Sequence, residues 1–386
     1  MPLWRILVFL AVLTTVTGGV HYYLWNRLVK SPAWPAPWMN VATWLIVGLA
    51  VTIPVGLIGA RLFGRDMLSP LVWTGYIWMG SMFLCFVLLL PTELIRAGFH
   101  FFGREDGVVD PVRRQLLSRI VAGGVVTVGA GLSGLGLVTA LRKVAIKEVR
   151  VPIAGLDARL SGLRVVQLTD IHVGPTIGRA FIEQLVDSTN ALEPDIVAIT
   201  GDLVDGSVEE LGEAVRPLGN LRARHGVFFV TGNHEYYSGA DEWAEFVGSL
   251  GITVLRNERV SIEHDGAALD VAGVNDWNAG QFDDGPDLRK ALDGRPDGRP
   301  VLLLAHQPRQ IEEAAAQDVS LMLSGHTHGG QIFPFNFLVR LQQPYVAGLH
   351  DHGGTKLYVS SGTGYWGPPM RVGIPAEITD LRLDAA

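Results

Sequence analysis

The first part of the chain reads as long apolar stretches broken by short polar ones. Ile6–Trp25, Met39–Ala60, Met67–Leu90 and Ile120–Leu141 are each long enough to cross a bilayer, which takes about 20 residues as a helix. A signal peptide would explain the first stretch alone, and a buried core helix any single one. Four in succession, joined by short basic loops, predict a four-helix transmembrane region over residues 1–145. Tyr22, Tyr23, Trp25, Trp34 and Trp38 crowd one boundary, where amphipathic rings prefer to sit. Ser31–Pro37 is proline-rich and reads as a loop. His21 and His100 fall at helix ends and read as interfacial.

After Arg150 the period changes. Leu163–Thr169, Ile196–Thr200, Val227–Thr231, Val301–Ala305, Leu321–Ser324, Lys356–Ser361 and Ile378–Leu383 are short β-type runs, and Arg179–Leu192 and Asp241–Leu250 carry a helical period. Residues 149–386 therefore form an α/β domain. No internal repeat is visible, and Asp293–Pro300 reads as a loop.

Composition sharpens this division. The 386 residues are 48% apolar with a mean hydropathy of +0.27, and the apolar excess lies in the first 141. Residues 1–150 carry 14 Lys+Arg against 6 Asp+Glu, a net of +8; residues 151–386 carry 17 against 32, a net of −15. An acidic second half repels nucleic acid, whose binding rests on phosphate neutralisation. It suits a domain that collects divalent cations, or simply a soluble acidic surface. The single cysteine, Cys85, sits in an apolar run. It excludes an intrachain disulfide and a cysteine-based metal site and reads as packing.

Ile120–Leu141 has no charged residue and contains Gly123, Gly124, Gly129, Gly131, Gly134 and Gly136. Small residues let membrane helices pack closely. Gly129–Gly134 formally matches GxGxxG, but a dinucleotide site needs a preceding strand in a soluble βαβ unit. Just before this run stands Arg113-Arg114-Gln115-Leu116-Leu117-Ser118, which resembles a twin-arginine export signal. Read so, Arg113 and Arg114 face the cytoplasm and the C-terminal domain is extracytoplasmic, held to the cell membrane by a multi-pass anchor. Read otherwise, the pair is ordinary basic flanking. Loop charges do not decide: Arg27, Lys30, Arg96, Arg104, Arg113 and Arg114 oppose Arg5, Arg61, Arg65, Arg142, Lys143, Lys147 and Arg150, six against seven.

The chemistry-bearing motifs follow the strands, where α/β sheets place ligands. They are Asp170-Ile-His172, Gly201-Asp202-Leu-Val-Asp205, Gly232-Asn233-His234-Glu235, Ala305-His306 and Gly325-His326-Thr-His328. Carboxylate and imidazole suit Mn, Fe or Zn at a hydrolytic centre. One carboxylate can bridge two ions, which clamp phosphate oxygens and acidify the attacking water. A histidine that is not a ligand can protonate the leaving oxygen. Each motif alone reads better as a capped turn; all five in this order do not.

With these motifs in place, residues 149–383 resemble the calcineurin-like metallophosphoesterase family: D-x-H, GDxxD, GNH[DE], a lone His and GHxH. Gly329-Gly330-Gln331 and Ser360–Arg371 look like its bacterial, often membrane-attached branch. The resemblance implies a two-sheet β-sandwich flanked by helices and a centre of two divalent ions. Asp170, His172 and His328 would hold one, Asn233, His306 and His326 the other, and Asp202 would bridge them. His234 would be the general acid and Asp205 would orient it. Glu235 stands where many relatives have Asp.

The same resemblance implies hydrolysis of a phosphomonoester, phosphodiester or pyrophosphate bond. Relatives of this branch are associated with lipid-linked nucleotide-sugar pyrophosphates, and a bilayer anchor suits a phosphorylated lipid-linked or cell-envelope substrate. A nuclease is disfavoured by the acidic half and by the anchor, so no nucleic-acid partner is expected. A non-catalytic metal-binding membrane protein is disfavoured by the retained His234. A transporter would want ionisable residues inside the spans, which have almost none. His225, His264, His350 and His352 lie outside the motifs and read as ordinary packing; the His350-Asp-His352 triplet imitates a further metal site but sits in a glycine-rich loop with no partner motif, which disfavours that reading. Arg371 reads as a phosphate contact or a surface arginine, and Tyr365 and Trp366 as the lining of a lipid-facing mouth or as packing.

Overall fold

A computed structural model of the chain describes residues 3–63, 65–102 and 110–386, without the side chains of residues 3–10, 12, 13, 57–63, 65–68, 100 and 102. Arg5, Arg61, Arg65, His100 and Arg104, read above, fall outside those limits. The chain divides into two compact units, Met1–Val138 with Gly367–Met370, and Thr139–Trp366 with Arg371–Ala386.

The first unit is helical: α1 (Leu3–Trp25), α2 (Ala36–Phe63), α3 (Arg65–Phe102) and α4, which runs Pro111–Leu141 into the second unit. Among the described residues three helices are long and apolar enough to cross a membrane, Ala36–Gly56, Ser69–Phe99 and Pro111–Leu141. The expected span Ile6–Trp25 lies within α1 and is not among these three. Leu24, Cys85, Leu89 and Val125 form the buried centre, so the lone thiol packs. Along α4, Gly129 meets a neighbouring helix, where a Cβ would stand 3.0 Å from Cys85 Sγ, whereas Gly123, Gly124, Gly131 and Gly134 face open space.

His21 is packed inside the bundle. It is buried, its Nδ1 donates to Thr17 O at 2.7 Å, and its Nε2 accepts from Trp78 Nε1 at 2.8 Å. A polar ring in an apolar bundle must be hydrogen-bonded on both sides, and the preceding turn and α3 supply the partners. Glu93 is similarly paired, with Arg27 at 2.5 Å and Tyr23 at 3.1 Å.

The second unit is built on two six-stranded mixed sheets. The first contains β1 (Ala145–Ile153), β2 (Arg164–Leu168), β3 (Ile196–Thr200), β4 (Val227–Val230), β5 (Thr253–Val254) and β12 (Glu377–Ala385), in the order β1-β12-β2-β3-β4-β5. The second contains β6 (Glu258–His264), β7 (Ala267–Gly273), β8 (Val301–Leu304), β9 (Leu321–Ser324), β10 (Gly348–His352) and β11 (Thr355–Val359), in the order β10-β11-β9-β8-β7-β6. β2 to β5 run parallel, as do β7, β8, β9 and β11.

Strand periodicity makes the layers, because successive side chains leave opposite faces. Val165, Ile196, Ala198 and Phe228 of one sheet meet Leu302, Leu304, Leu321 and Leu323 of the other in a shared core. The alternate residues Val166, Leu168, Val197 and Ile199 pack beneath α5 (Arg179–Asn190), α6 (Val208–Val215) and α8 (Ala240–Ser249), whose Ile182, Leu211 and Trp243 face them. Val301, Leu303 and Met322 pack under Leu288 and Ile311 on the far side. Strands buried on both faces read as continuous apolar runs, which is why these strands were legible in the sequence. The half-exposed β1 and β10 were not, and His350 and His352 lie in β10 rather than in a loop.

Candidate metal centre

The parallel strands bring their C-terminal ends to one edge, and each motif begins where a strand stops. Asp170 and His172 follow β2, Asp202 and Asp205 follow β3, Asn233 and His234 open α7 (Asn233–Ser238) after β4, His306 follows β8, and His326 and His328 follow β9. Loops from both sheets thus contribute. Asp170, His172, Asp202, His326 and His328 all have left-handed backbone, with φ between 49° and 68°. That conformation costs a non-glycine residue about 1–3 kcal/mol and persists where the surroundings over-determine it, chiefly at functional sites.

Two groups of ligand atoms result. Those of Asp170, His172 and His328 lie within 4.8 Å of one another, as do those of Asp202, His306 and His326. His172 Nε2 faces His328 Nε2 at 3.1 Å, and His306 Nε2 faces His326 Nδ1 at 3.2 Å. The tautomers of two rings follow from their other nitrogens. His306 Nδ1 stands 2.8 Å from Thr200 O, which only accepts, so Nδ1 donates there and Nε2 is the nitrogen turned toward Asp202 and His326. His172 Nδ1 donates to Asp205 Oδ1 at 3.0 Å, leaving its Nε2 likewise free to ligate. Asp202 Oδ2 lies 3.1 Å from His306 Nε2 and 3.8 Å from His172 Nε2, so its carboxylate touches both groups. Asn233 Oδ1 is buried with no hydrogen-bond partner. An orphaned amide oxygen and converging nitrogen lone pairs among buried carboxylates are a donor set made for cations, and the residues fit two divalent ions.

The electrostatics follow from burial and crowding. Burial, with the neighbouring Asp202 charge, holds the Asp170 carboxyl above its ordinary range. Burial alone would raise Asp202 too, but His306 and His234 outweigh it and hold Asp202 well below that range. His328 is kept neutral by burial and by the adjacent His172, and burial with His306 lowers His326 to about 3.

His234 stands apart from the two groups. Its Nδ1 lies 2.6 Å from Asp205 Oδ1, the oxygen that also receives His172. Burial would lower its pKa, but Asp202 and Asp205 overcome this and raise it to about 9. Three aromatic rings extend from it: Tyr237 and Trp366 at 5.6 and 5.7 Å between ring centroids, and Phe282 beyond Tyr237 at 6.4 Å. Tyr237 and Trp366 are 63% and 54% exposed. Gln331 pins Trp366, donating from Nε2 to its carbonyl and accepting its N–H at Oε1, both at 2.9 Å.

Three roles were not implied by the motifs. Glu235 is fully buried and accepts backbone N–H groups from Gly232, Asp202, Leu203 and Val204 at 2.6–3.3 Å. It therefore latches the GDLV loop to the GNHE turn; burial, with the Asp202 charge, raises its pKa to about 7. Arg371 is neither a surface residue nor a phosphate contact. It is fully buried and donates to the carbonyls of Gly362 and Gly364, while Thr363 and Gly364 donate to Thr169 O and Asp170 O. It thus supports the loop against which Asp170 rests. Tyr365 is buried as well, donating to Thr176 O at 3.1 Å, so packing is its role and Trp366 alone of the pair reaches the cleft.

The chain resembles proteins that carry both kinds of unit. The sequence profile of the calcineurin-like phosphoesterases matches residues 163–330. A bovine (Bos taurus) protein named transmembrane protein with metallophosphoesterase domain is 44% identical over 74% of this chain, which spans 66% of that protein's length. The zebrafish (Danio rerio) protein of the same name is 36% identical over 94% of this chain and 86% of its own. An uncharacterized metallophosphoesterase of Campylobacter jejuni is 33% identical over 98% of both. The chain belongs to the calcineurin-like phosphoesterases. Membership makes it a phosphohydrolase of a family that works with a dinuclear metal centre, and the two histidine–aspartate groups at the strand ends are the candidate ligands for that centre. The name of the mammalian and fish relatives agrees with the apolar helices of α2, α3 and α4 in placing this phosphoesterase at a membrane.

Proposed function

We propose that the protein hydrolyses a phosphoester or pyrophosphate bond in a lipid-linked or cell-envelope substrate at the bilayer. The observation that carries the chemistry is the pairing of two ligand groups across Asp202 with a third histidine, His234, held beside them by Asp205. Asp170, His172 and His328 would hold one divalent ion and Asn233, His306 and His326 the other, with Asp202 shared by both; Mn, Zn and Fe would all suit this donor set. When bound, the two ions supply Lewis-acid polarisation of phosphate and a water nucleophile at neutral pH. His234 faces the leaving group: with Nδ1 engaged by Asp205, the remaining Nε2–H is the proton delivered to the departing oxygen. Asp205 fixes that tautomer and also orients His172, so one carboxylate aligns an acid and a ligand.

Two features support an amphipathic substrate. Tyr237, Phe282 and Trp366 make an exposed aromatic rim beside His234, suited to apolar groups next to a phosphate. Only Arg142, Lys143 and Val144 separate α4 from β1 along the chain, so the catalytic unit starts within a few residues of a candidate membrane span. Arg113-Arg114 in the first turn of α4 supports an extracytoplasmic catalytic domain, with α1 as a fourth span; a C-terminal alkaline-phosphatase fusion active only after export tests that orientation.

The decisive assay uses the full chain in detergent, stripped of metal, reloaded with Mn, Zn or Fe, and offered phosphomonoesters, phosphodiesters and lipid-linked pyrophosphates. Turnover of none of these by the reloaded protein, or full turnover by His234→Ala, sinks the reading.

A further inference from the structure

The catalytic cleft does not use every convergent imidazole. At the opposite end of the sheets, where β3 and β4 begin, the ligand atoms of Asp195, His225 and His264 lie within 4.8 Å of one another. Asp195 immediately precedes β3 and His225 stands two residues before β4, both in the first sheet; His264 closes β6 in the second. His225 Nε2 and His264 Nδ1 are 2.9 Å apart, close to the 3.1 and 3.2 Å of the facing nitrogens in the two catalytic groups.

The scaffold holds this trio in place. Asp195 N donates to Arg164 O at 3.0 Å, Asp195 Oδ2 accepts from Arg164 N at 2.9 Å, and His225 N donates to Asp195 O at 2.8 Å. That uses one carboxylate oxygen and leaves the other. His264 is buried and His225 half-buried, so the site is shielded without being sealed. Asp265 adds a carboxylate 3.7 Å from His264 Nε2, partly neutralised by Arg224 at 3.2 Å. Two imidazole nitrogens and a carboxylate oxygen form a three-ligand set with an open fourth position, the preference of Zn²⁺ and its late first-row neighbours. Mg²⁺ and Ca²⁺ would demand more oxygen.

We propose that Asp195, His225 and His264 form a third divalent-metal site, distinct from the catalytic centre, that takes Zn²⁺ and clips the two sheets together at the end remote from the cleft. Its ligands come from loops on both sheets, so binding adds a crosslink that the unfolded chain lacks, and the metal stabilises the fold. The competing account of the 2.9 Å approach is an N–H···N hydrogen bond between neutral rings, which needs no metal.

The test counts metal on the full-length protein in detergent, stripped with chelator, reloaded with Zn²⁺, desalted and measured by plasma mass spectrometry. The informative quantity is the difference between proteins, so it does not depend on how fully the catalytic centre loads. His225→Gln and His264→Gln should each retain one equivalent fewer than the wild type. Zn²⁺ should also raise the melting temperature of the wild type more than that of either variant. His225 is half-buried, so His225→Gln keeps the test valid should His264→Gln fold poorly; its chelator-treated form should melt like chelator-treated wild type. Equal zinc in wild type and His225→Gln, with equal zinc-dependent shifts, overturns the site in favour of the hydrogen bond.

Discussion

Asp205 Oδ1 receives His234 Nδ1 at 2.6 Å while also receiving His172 Nδ1 at 3.0 Å. One oxygen therefore orients the candidate acid and a candidate ligand. His172 and His234 in turn hold the Asp205 carboxyl far below its ordinary range, against its burial. Asp205→Asn keeps the shape but removes the charge. Turnover should fall about 10²-fold or more, in line with the usual contribution of a positioned acid and of a partner behind a ligand. His234→Ala should fall by about 10²–10⁴-fold. The double variant should lose less than the full product of the two losses, the remainder beyond His234→Ala being the hold of Asp205 on His172, because residues acting as one unit are not additive; a double variant showing the full product contradicts the shared role.

Glu235 supports the site without facing it. Its carboxylate takes four backbone N–H groups in a buried turn. Glu235→Ala strands those donors and should cost about 3–5 kcal/mol in urea unfolding, the range for breaking a buried charged network. Glu235→Gln, which keeps one acceptor oxygen, should cost less. An Ala variant as stable as wild type would remove the latch from the account.

Two motif glycines are required by space. A Cβ on Gly232 would stand 2.2 Å from Asp202 Oδ1, and one on Gly325 would stand 2.1 Å from Asp170 Oδ2. Gly232→Ala and Gly325→Ala should therefore displace a carboxylate and lose metal. Gly248 in α8 meets nothing within 4 Å, and Gly248→Ala should stabilise by about 0.5–1 kcal/mol through helix propensity. Metal content and thermal melts separate the outcomes; Ala variants at 232 and 325 with full metal contradict the crowding.

Arg371 lies buried among the carbonyls of Gly362 and Gly364, in the loop against which Asp170 rests. Arg371→Met removes the donors and strands those carbonyls, at about 3 kcal/mol or more. If its role is support alone, residual activity at low temperature should keep the wild-type KM. A large rise in KM with unchanged stability would reinstate it as a phosphate contact.

Chelation should lower stability as well as activity. Asp170 and Asp202 are buried at the strand ends beside ring lone pairs, and divalent ions bound there stabilise the folded state by about 2.7 kcal/mol at a hundredfold excess over Kd. Metal-free protein should melt several degrees lower and recover on reloading. Melting unchanged by thorough stripping would count against both ligand groups.

The apolar stretches, the two-sided burial of β2, β3, β8 and β9, and the placement of each polar motif at a strand's end could be read from order alone, because they are short-range. A period of two follows from backbone pleating, a membrane helix from length and polarity, and a metal motif from residue types a few positions apart. The structure decided what depends on meeting across the chain. β1 was illegible because its half-exposed pattern is completed only by pairing with β12, Ala145 against Glu377. His21 became a buried acceptor only once α3 brought Trp78 to it. Glu235 looked like a motif variant, Arg371 like a phosphate contact or a surface arginine, and His225 and His264 like unrelated histidines. Glu235 meets Asp202, His225 meets His264, and the loop that Arg371 supports meets Asp170, each across distant parts of the chain; no local pattern encodes such a meeting, which is set by which faces the two sheets bury and where their loops then converge.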